Sequence, residues 1–267
     1  MRGRLASSNL IHHGISPNGG AGRIYFPCPL SWFPHVPYSS FASEFEVTLE
    51  PASPAVATVI LLHGLGADGW DFVPIVEELR LPESLPVRFV FPHAPLRPVT
   101  VNAGYVMRAW YDIKSFTPEG RADAAGLAES VARVNAYLQA EMARGIAASQ
   151  IVLAGFSQGG AVALSAGLRF PERLAGLLAL STYLPFPARL AAERSQANSD
   201  VPILMCHGQK DSVVDIGMGR EARAVLEAQG YPVEWHEYPM QHEVCADELS
   251  ETGKWLERRF GPEAAGR

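Results

Sequence analysis

Ser157 is the residue around which a chemistry can be built. It stands in Ile151-Val152-Leu153-Ala154-Gly155-Phe156-Ser157-Gln158-Gly159-Gly160-Ala161, an apolar strand pattern that runs into Gly-x-Ser-x-Gly and then a small-residue helix. A serine that attacks a carbonyl must sit at a tight strand-to-helix turn that lifts its hydroxyl clear of the backbone. Gly155 and Gly159 keep side chains out of that turn. The helix N-terminus favours the oxyanion that the attack creates. The pentapeptide alone is a weak signal; flanked by strand and helix it is a strong one.

A serine hydroxyl is a poor nucleophile at neutral pH and needs a base, most often a histidine oriented by a carboxylate. On sheets that carry this turn the carboxylate and then the histidine follow the serine. His207, His236 and His242 do so. His207 ends one apolar run and His236 lies inside another, whereas His242 follows Pro239-Met240-Gln241 in a loop free to reach the serine. The acid candidates are Asp211 and Asp215. Asp211 is nearer the end of a strand, where ligand-facing groups gather; Asp215 is better placed to start a helix near Gly217. A second apolar run breaks at Leu61-Leu62-His63-Gly64-Leu65-Gly66. There the Leu65 N–H, with that of Gln158, could form an oxyanion hole. His63 reads as a turn-stabilising residue.

These groups need a scaffold, and the chain supplies one. Phe45, Val47 and Leu49 alternate with polar residues, as in a strand with one buried face. Six further runs read as strands, most of them apolar on both faces: 57–62, 88–91, 151–154, 177–180, 203–206 and 233–238. Helical patterns lie between them at 123–144, 158–170, 217–229 and 243–260. Alternation of this kind predicts a mostly parallel central sheet with helices on both faces. The stretch 92–121 is rich in Pro, Gly and aromatics and shows no helical period. A loop of that length is usually functional. Phe72, Trp110, Leu184 and Val214 are expected to line a substrate pocket.

Composition narrows the function. Apolar residues are 48% and charged residues 19%, which suits a chain with a core rather than a disordered one. No apolar run approaches the ~18–20 residues of a membrane span. The net charge is −6 and no basic run stands out, so nucleic acid is not an expected partner. Three scattered cysteines give neither a disulfide framework nor a zinc-ligand spacing, and fit a reducing compartment. Residues 1–43 carry three arginines and no acid, are broken by Pro and Gly, and lack a secretory apolar core. They read as a disordered extension, with an organellar transit peptide as the alternative. One domain over 44–260 and a flexible tail at 261–267 complete the expected division. The expected location is cytoplasmic.

Together these blocks resemble the phospholipase/carboxylesterase family of α/β hydrolases, over about 45–260. The matching stretches are Leu62–Asp68, Pro92–Pro95, Pro98–Asn102, Ala109–Ile113, Gly155–Ala161, Leu180–Pro185, His207–Asp211 and His242–Val244. The resemblance looks closest to bacterial carboxylesterases. It implies the α/β-hydrolase fold without a large lid domain, and an ester or thioester hydrolase of the EC 3.1.1 or 3.1.2 class. It implies Ser157, Asp211 and His242 as triad, Leu65 and Gln158 as oxyanion donors, and no metal or organic cofactor. Short- to medium-chain acyl esters are the expected substrates, with acyl-protein thioesterase or lysophospholipase activity as the alternative. A non-catalytic ligand receptor on the same fold is the competing class. The expected partner is a small-molecule ester or thioester, without integral membrane insertion; a homodimer is left open.

Overall fold

The computed structural model describes residues 38–115, 117 and 120–261. The described residues hold ten strands: β1 (Tyr38–Ala42), β2 (Glu46–Pro51), β3 (Ala57–Leu62), β4 (Val87–Pro92), β5 (Leu96–Val99), β6 (Tyr105–Arg108), β7 (Ile151–Phe156), β8 (Gly176–Leu180), β9 (Ile203–Gly208) and β10 (Val233–Tyr238). The α-helices are α1 (Ile75–Glu78), α2 (Ala124–Ala143), α3 (Gln158–Gly167), α4 (Leu190–Glu193), α5 (Ile216–Ala228) and α6 (Ala246–Phe260). Eight strands form one sheet in the order β1-β2-β4-β3-β7-β8-β9-β10. From β4 to β10 all neighbours are parallel; β1 and β2 are added antiparallel at one edge. This is the α/β-hydrolase fold expected from the sequence.

Strand side chains alternate between faces, so each face of the sheet has its own core. Ile60, Leu62, Ile151, Leu153, Leu177 and Met205 pack with residues of α2, α3 and α5. Val59, Leu61, Val152, Leu178, Leu180 and Leu204 pack with α1 and α6 on the other face. The central strands are buried throughout, which is why they read as continuous apolar runs. The edge strand β10 is only half-buried along its length, and it carries Glu234, His236 and Glu237 among its apolar residues.

Two features differ from the sequence reading. The sheet includes Tyr38–Ala42, inside the stretch assigned to an extension: β1 pairs with β2, and the Tyr38 ring meets Phe89 edge-on at 5.9 Å. Its alternation is too short and too exposed to show as a pattern. The rest of the expected extension, 1–37, and most of the C-terminal tail lie outside the described residues. The segment 92–121 is not all loop. It holds the hairpin β5–β6, closed by a 3₁₀ turn at Thr100–Asn102 and by Ala103 and Gly104, both at positive φ. Its strands have four residues each, and Pro98 lies within one of them.

Candidate active site

The C-terminal ends of β3, β7 and β9 and the loop after β10 converge on Ser157. The serine lies between β7 and α3 with φ 54° and ψ −119°, a region non-glycine residues rarely occupy. Its neighbours hold it there. The Ser157 N–H donates to the Leu180 carbonyl at 2.9 Å, and Thr182 Oγ1 donates to the Ser157 carbonyl at 2.6 Å. The flanking glycines are explained by contact. A Cβ on Gly155 would collide with the backbone of Gly159 and Gly160, and one on Gly159 with the carbonyls of Leu62 and His63. The turn is therefore tight because α3 crosses directly over β7 and the end of β3.

His242 and Asp211 meet Ser157 from two other loops. His242 Nε2 lies 2.9 Å from Ser157 Oγ, and His242 Nδ1 lies 2.7 Å from Asp211 Oδ2. A carboxylate accepts, so Nδ1 carries the proton and the Nε2 lone pair faces the serine. Asp211 is 5% exposed, and its other oxygen accepts from Val213 N at 2.9 Å and Val214 N at 2.8 Å. The loop after β9 thus aims Oδ2 at the imidazole. His207 braces that loop by donating from Nε2 to the Val214 carbonyl at 2.8 Å, and burial holds it below the usual histidine range. The other candidates are occupied elsewhere. Asp215 caps α5, accepting from Gly217 N at 2.8 Å. His236 lies on β10, 3.2 Å from Glu234.

The turn after β3 lies beside the elbow. No backbone bond among the described residues takes up the Leu65 N–H, and Gln158 N is the first amide of α3, which has no intrahelical acceptor. His63 organises this turn. It accepts from Ala94 N at Nε2 (3.0 Å), so its Nδ1–H donates to the Gly64 carbonyl at 2.7 Å. Complete burial pushes His63 down to about 4, so it stays neutral at physiological pH. Three hydrogen bonds were not visible in the sequence. The Gln158 side chain accepts from Trp110 N at 2.8 Å and donates to the Tyr111 carbonyl at 2.8 Å. The Trp110 indole donates to the His63 carbonyl at 2.9 Å. Elbow, oxyanion turn and the 109–111 segment are therefore one hydrogen-bonded unit.

The four residues named for a pocket do not form one wall. Phe72 packs with the core on the α1/α6 side, 5.6 Å from the Phe156 ring. Trp110, Leu184 and Val214 belong to the opposite cluster, and Trp110 has no exposed surface. Above them the Tyr111 and Tyr183 hydroxyls bond at 2.6 Å, with the Arg121 guanidinium 5.6 Å over the Tyr183 ring. Burial pushes Tyr183 up to about 12 and Tyr111 well above its ordinary value, so both stay protonated. Glu234, His236 and Glu251 come together with metal-ligand side chains, but Arg258 pairs with both carboxylates and makes the group an ion-pair network.

A phospholipase/carboxylesterase family model matches residues 43–259. Acyl-protein thioesterase 1 of Yarrowia lipolytica is 38% identical over 216 residues, covering 79% of this chain and 95% of the relative. The Neurospora crassa protein of that name is 40% identical over 215 residues, covering 76% and 87%. Among solved structures, Zea mays acyl-protein thioesterase 2 superposes with a TM-score of 0.73 at 30% identity, covering 81% of this chain and 99% of that one. A Bacillus cereus carboxylesterase shares the fold, with a TM-score of 0.66 at 18% identity over 82% and 96% of the two chains.

Proposed function

The chain belongs to the phospholipase/carboxylesterase family and is a serine hydrolase of esters and thioesters; from that premise we propose that Ser157, His242 and Asp211 are its catalytic triad. The observation that carries the proposal is the unbroken line from Asp211 Oδ2 through His242 to Ser157 Oγ, at 2.7 and 2.9 Å.

In the proposed reaction the Ser157 Oγ–H bond breaks as His242 Nε2 takes the proton. Oγ bonds to the acyl carbon, and the carbonyl electron pair moves to oxygen. The Leu65 and Gln158 amides hold that oxyanion. As the tetrahedral intermediate collapses, the bond to the alcohol or thiol breaks and His242 protonates the leaving group. Water, deprotonated by His242, then releases the acid from the acyl-enzyme. Asp211 stabilises the imidazolium in both halves without accepting the proton.

Short- to medium-chain acyl groups are the proposed substrates. Each CH₂ buried in an apolar acyl site is worth ~0.8 kcal/mol, about fourfold in binding, so a small site favours the chains that just fill it. The names of the fungal and maize relatives favour a second reading, removal of an S-acyl group from a protein. The two separate in kcat/KM over matched oxygen and sulfur esters of two to sixteen carbons. The first reading expects a limit near four to eight carbons. A steady rise to sixteen with a preference for sulfur selects the second. Free Cys206 and Cys245 support the proposed cytoplasmic location. No helix of the described residues is long and apolar enough to cross a membrane.

A further inference from the structure

The two hydrogen bonds of His242 fix its nitrogens, but they leave the ring free to swing about the line between them. A third contact limits that motion. The Phe156 ring centroid lies 4.7 Å from that of His242, with the planes tilted by 40°. Phe156 is itself immobilised. It is 4% exposed, it meets the Phe72 ring at 5.6 Å, and it presses on the oxyanion turn so closely that a Cβ on Gly64 would lie 3.2 Å from its Cδ1. It is also the residue before Ser157, so nucleophile, base and oxyanion turn share one aromatic support.

The contact has a charge consequence. The imidazole becomes an imidazolium only as the serine proton is transferred, and an aromatic face within about 6 Å attracts a cation. An aliphatic side chain of similar size would fill the space without that attraction. We propose that Phe156 is a positioning residue for the general base: its ring holds the His242 plane in line and stabilises the imidazolium formed in the transition state. This rests on the triad reading above.

The test replaces Phe156 site-specifically with mono-, di- and trifluorinated phenylalanine, which keep the shape of the ring and progressively drain its face of electron density. Phe156→Leu is measured beside them. Along the fluorinated series kcat should fall stepwise, by about three- to tenfold in all. KM should stay within about twofold, because the ring does not select substrate. The acid limb of kcat/KM should move to lower pH by roughly half to one unit, the same free-energy change read on the free enzyme. Phe156→Leu should move both in the same direction and also lower the melting temperature. If kcat and the acid limb stay fixed along the series while Ser157→Ala is inactive, Phe156 is core packing and the proposal is overturned. If Ser157→Ala retains wild-type activity, the triad fails and the proposal falls with it.

Discussion

Gln158→Ala separates what the side chain does from what the backbone does at one position. The side chain is 2% exposed and joins α3 to the buried 110–111 segment through two 2.8 Å hydrogen bonds. Truncation leaves the Trp110 N–H and the Tyr111 C=O in the interior without that partner. A buried backbone group left unpaired costs about 1–3 kcal/mol, so two put the loss at about 2–6 kcal/mol. At roughly 2–4 °C per kcal/mol the melting temperature should fall by about 4–24 °C. The Gln158 N–H survives the substitution. Well below the new transition, kcat/KM should therefore drop much less than the ~10²–10³ typical of a lost oxyanion donor. Urea denaturation followed by tryptophan fluorescence gives the first quantity, and p-nitrophenyl ester hydrolysis gives the second. A variant within about 0.5 kcal/mol of wild type, inside the range of a neutral surface change, would mean the segment is held without Gln158. The bond from Ser130 to the Trp110 carbonyl would be the first alternative. A loss beyond 10³ in kcat/KM with stability unchanged would show that the amide side chain takes part in the reaction.

Asp211→Asn should lower kcat by about 10³–10⁴, because the imidazole loses the acceptor that sets its tautomer; Asp215→Asn, which keeps a good cap on α5, should stay within about twofold in steady-state assays. Glu141 is buried, accepting from Thr58 Oγ1 at 2.8 Å and from Arg88 Nε at 3.1 Å, and Glu50 also pairs with Arg88. Glu141→Ala should destabilise by about 1–3 kcal/mol in urea, since Arg88 Nε and Thr58 Oγ1 lose a buried acceptor while Glu50 still balances the charge, with kcat unchanged. Burial raises Glu248 to about 8, so its neutral form fits the fold. Below the ordinary carboxyl range it is neutral folded and unfolded and costs nothing; as pH rises toward and through 8 the unfolded chain ionises first, and stability is lost. Glu248→Gln should therefore gain melting temperature over wild type as pH goes from 5 to 9; a constant gap would refute this. A chain starting at Tyr38 should keep full activity, whereas one starting at Glu44 should lose β1, expose the β2 edge and aggregate more readily in light scattering.

Much of the fold was legible because its central strands are buried on both faces. The strands 57–62 and 233–238 have the predicted limits, and most others differ by one or two residues. β4 hides Arg88 within an otherwise apolar strand, because Glu141 and Glu50 neutralise it from outside the strand. What escaped was local structure fixed by partners far away in the chain. The β5–β6 hairpin has exposed Leu96, Tyr105 and Val106, so it shows no buried face to read, and only Ala103-Gly104 hinted at its turn. At the candidate site, residue type and element context pointed to Ser157, Asp211 and His242, and the structure brings those three side chains within hydrogen-bonding distance of one another. The roles of Phe156 and of the Gln158 side chain were not legible. Each depends on a contact, with His242 or with Trp110, made between segments dozens of residues apart. The pocket residues fared similarly, since the sequence could not say on which side of the sheet each would pack.

In the proposed reaction Ser157 carries the acyl group, and covalent capture reads this out at the residue. The intact protein is treated with an alkyl fluorophosphonate, activity is followed to completion, and the modified peptide is located by mass spectrometry. One adduct per chain is expected, on Ser157, with activity lost in proportion to labelling and no adduct in Ser157→Ala. Loss of activity with the adduct on another residue, or a Ser157→Ala protein that hydrolyses esters within tenfold of wild type, would contradict it.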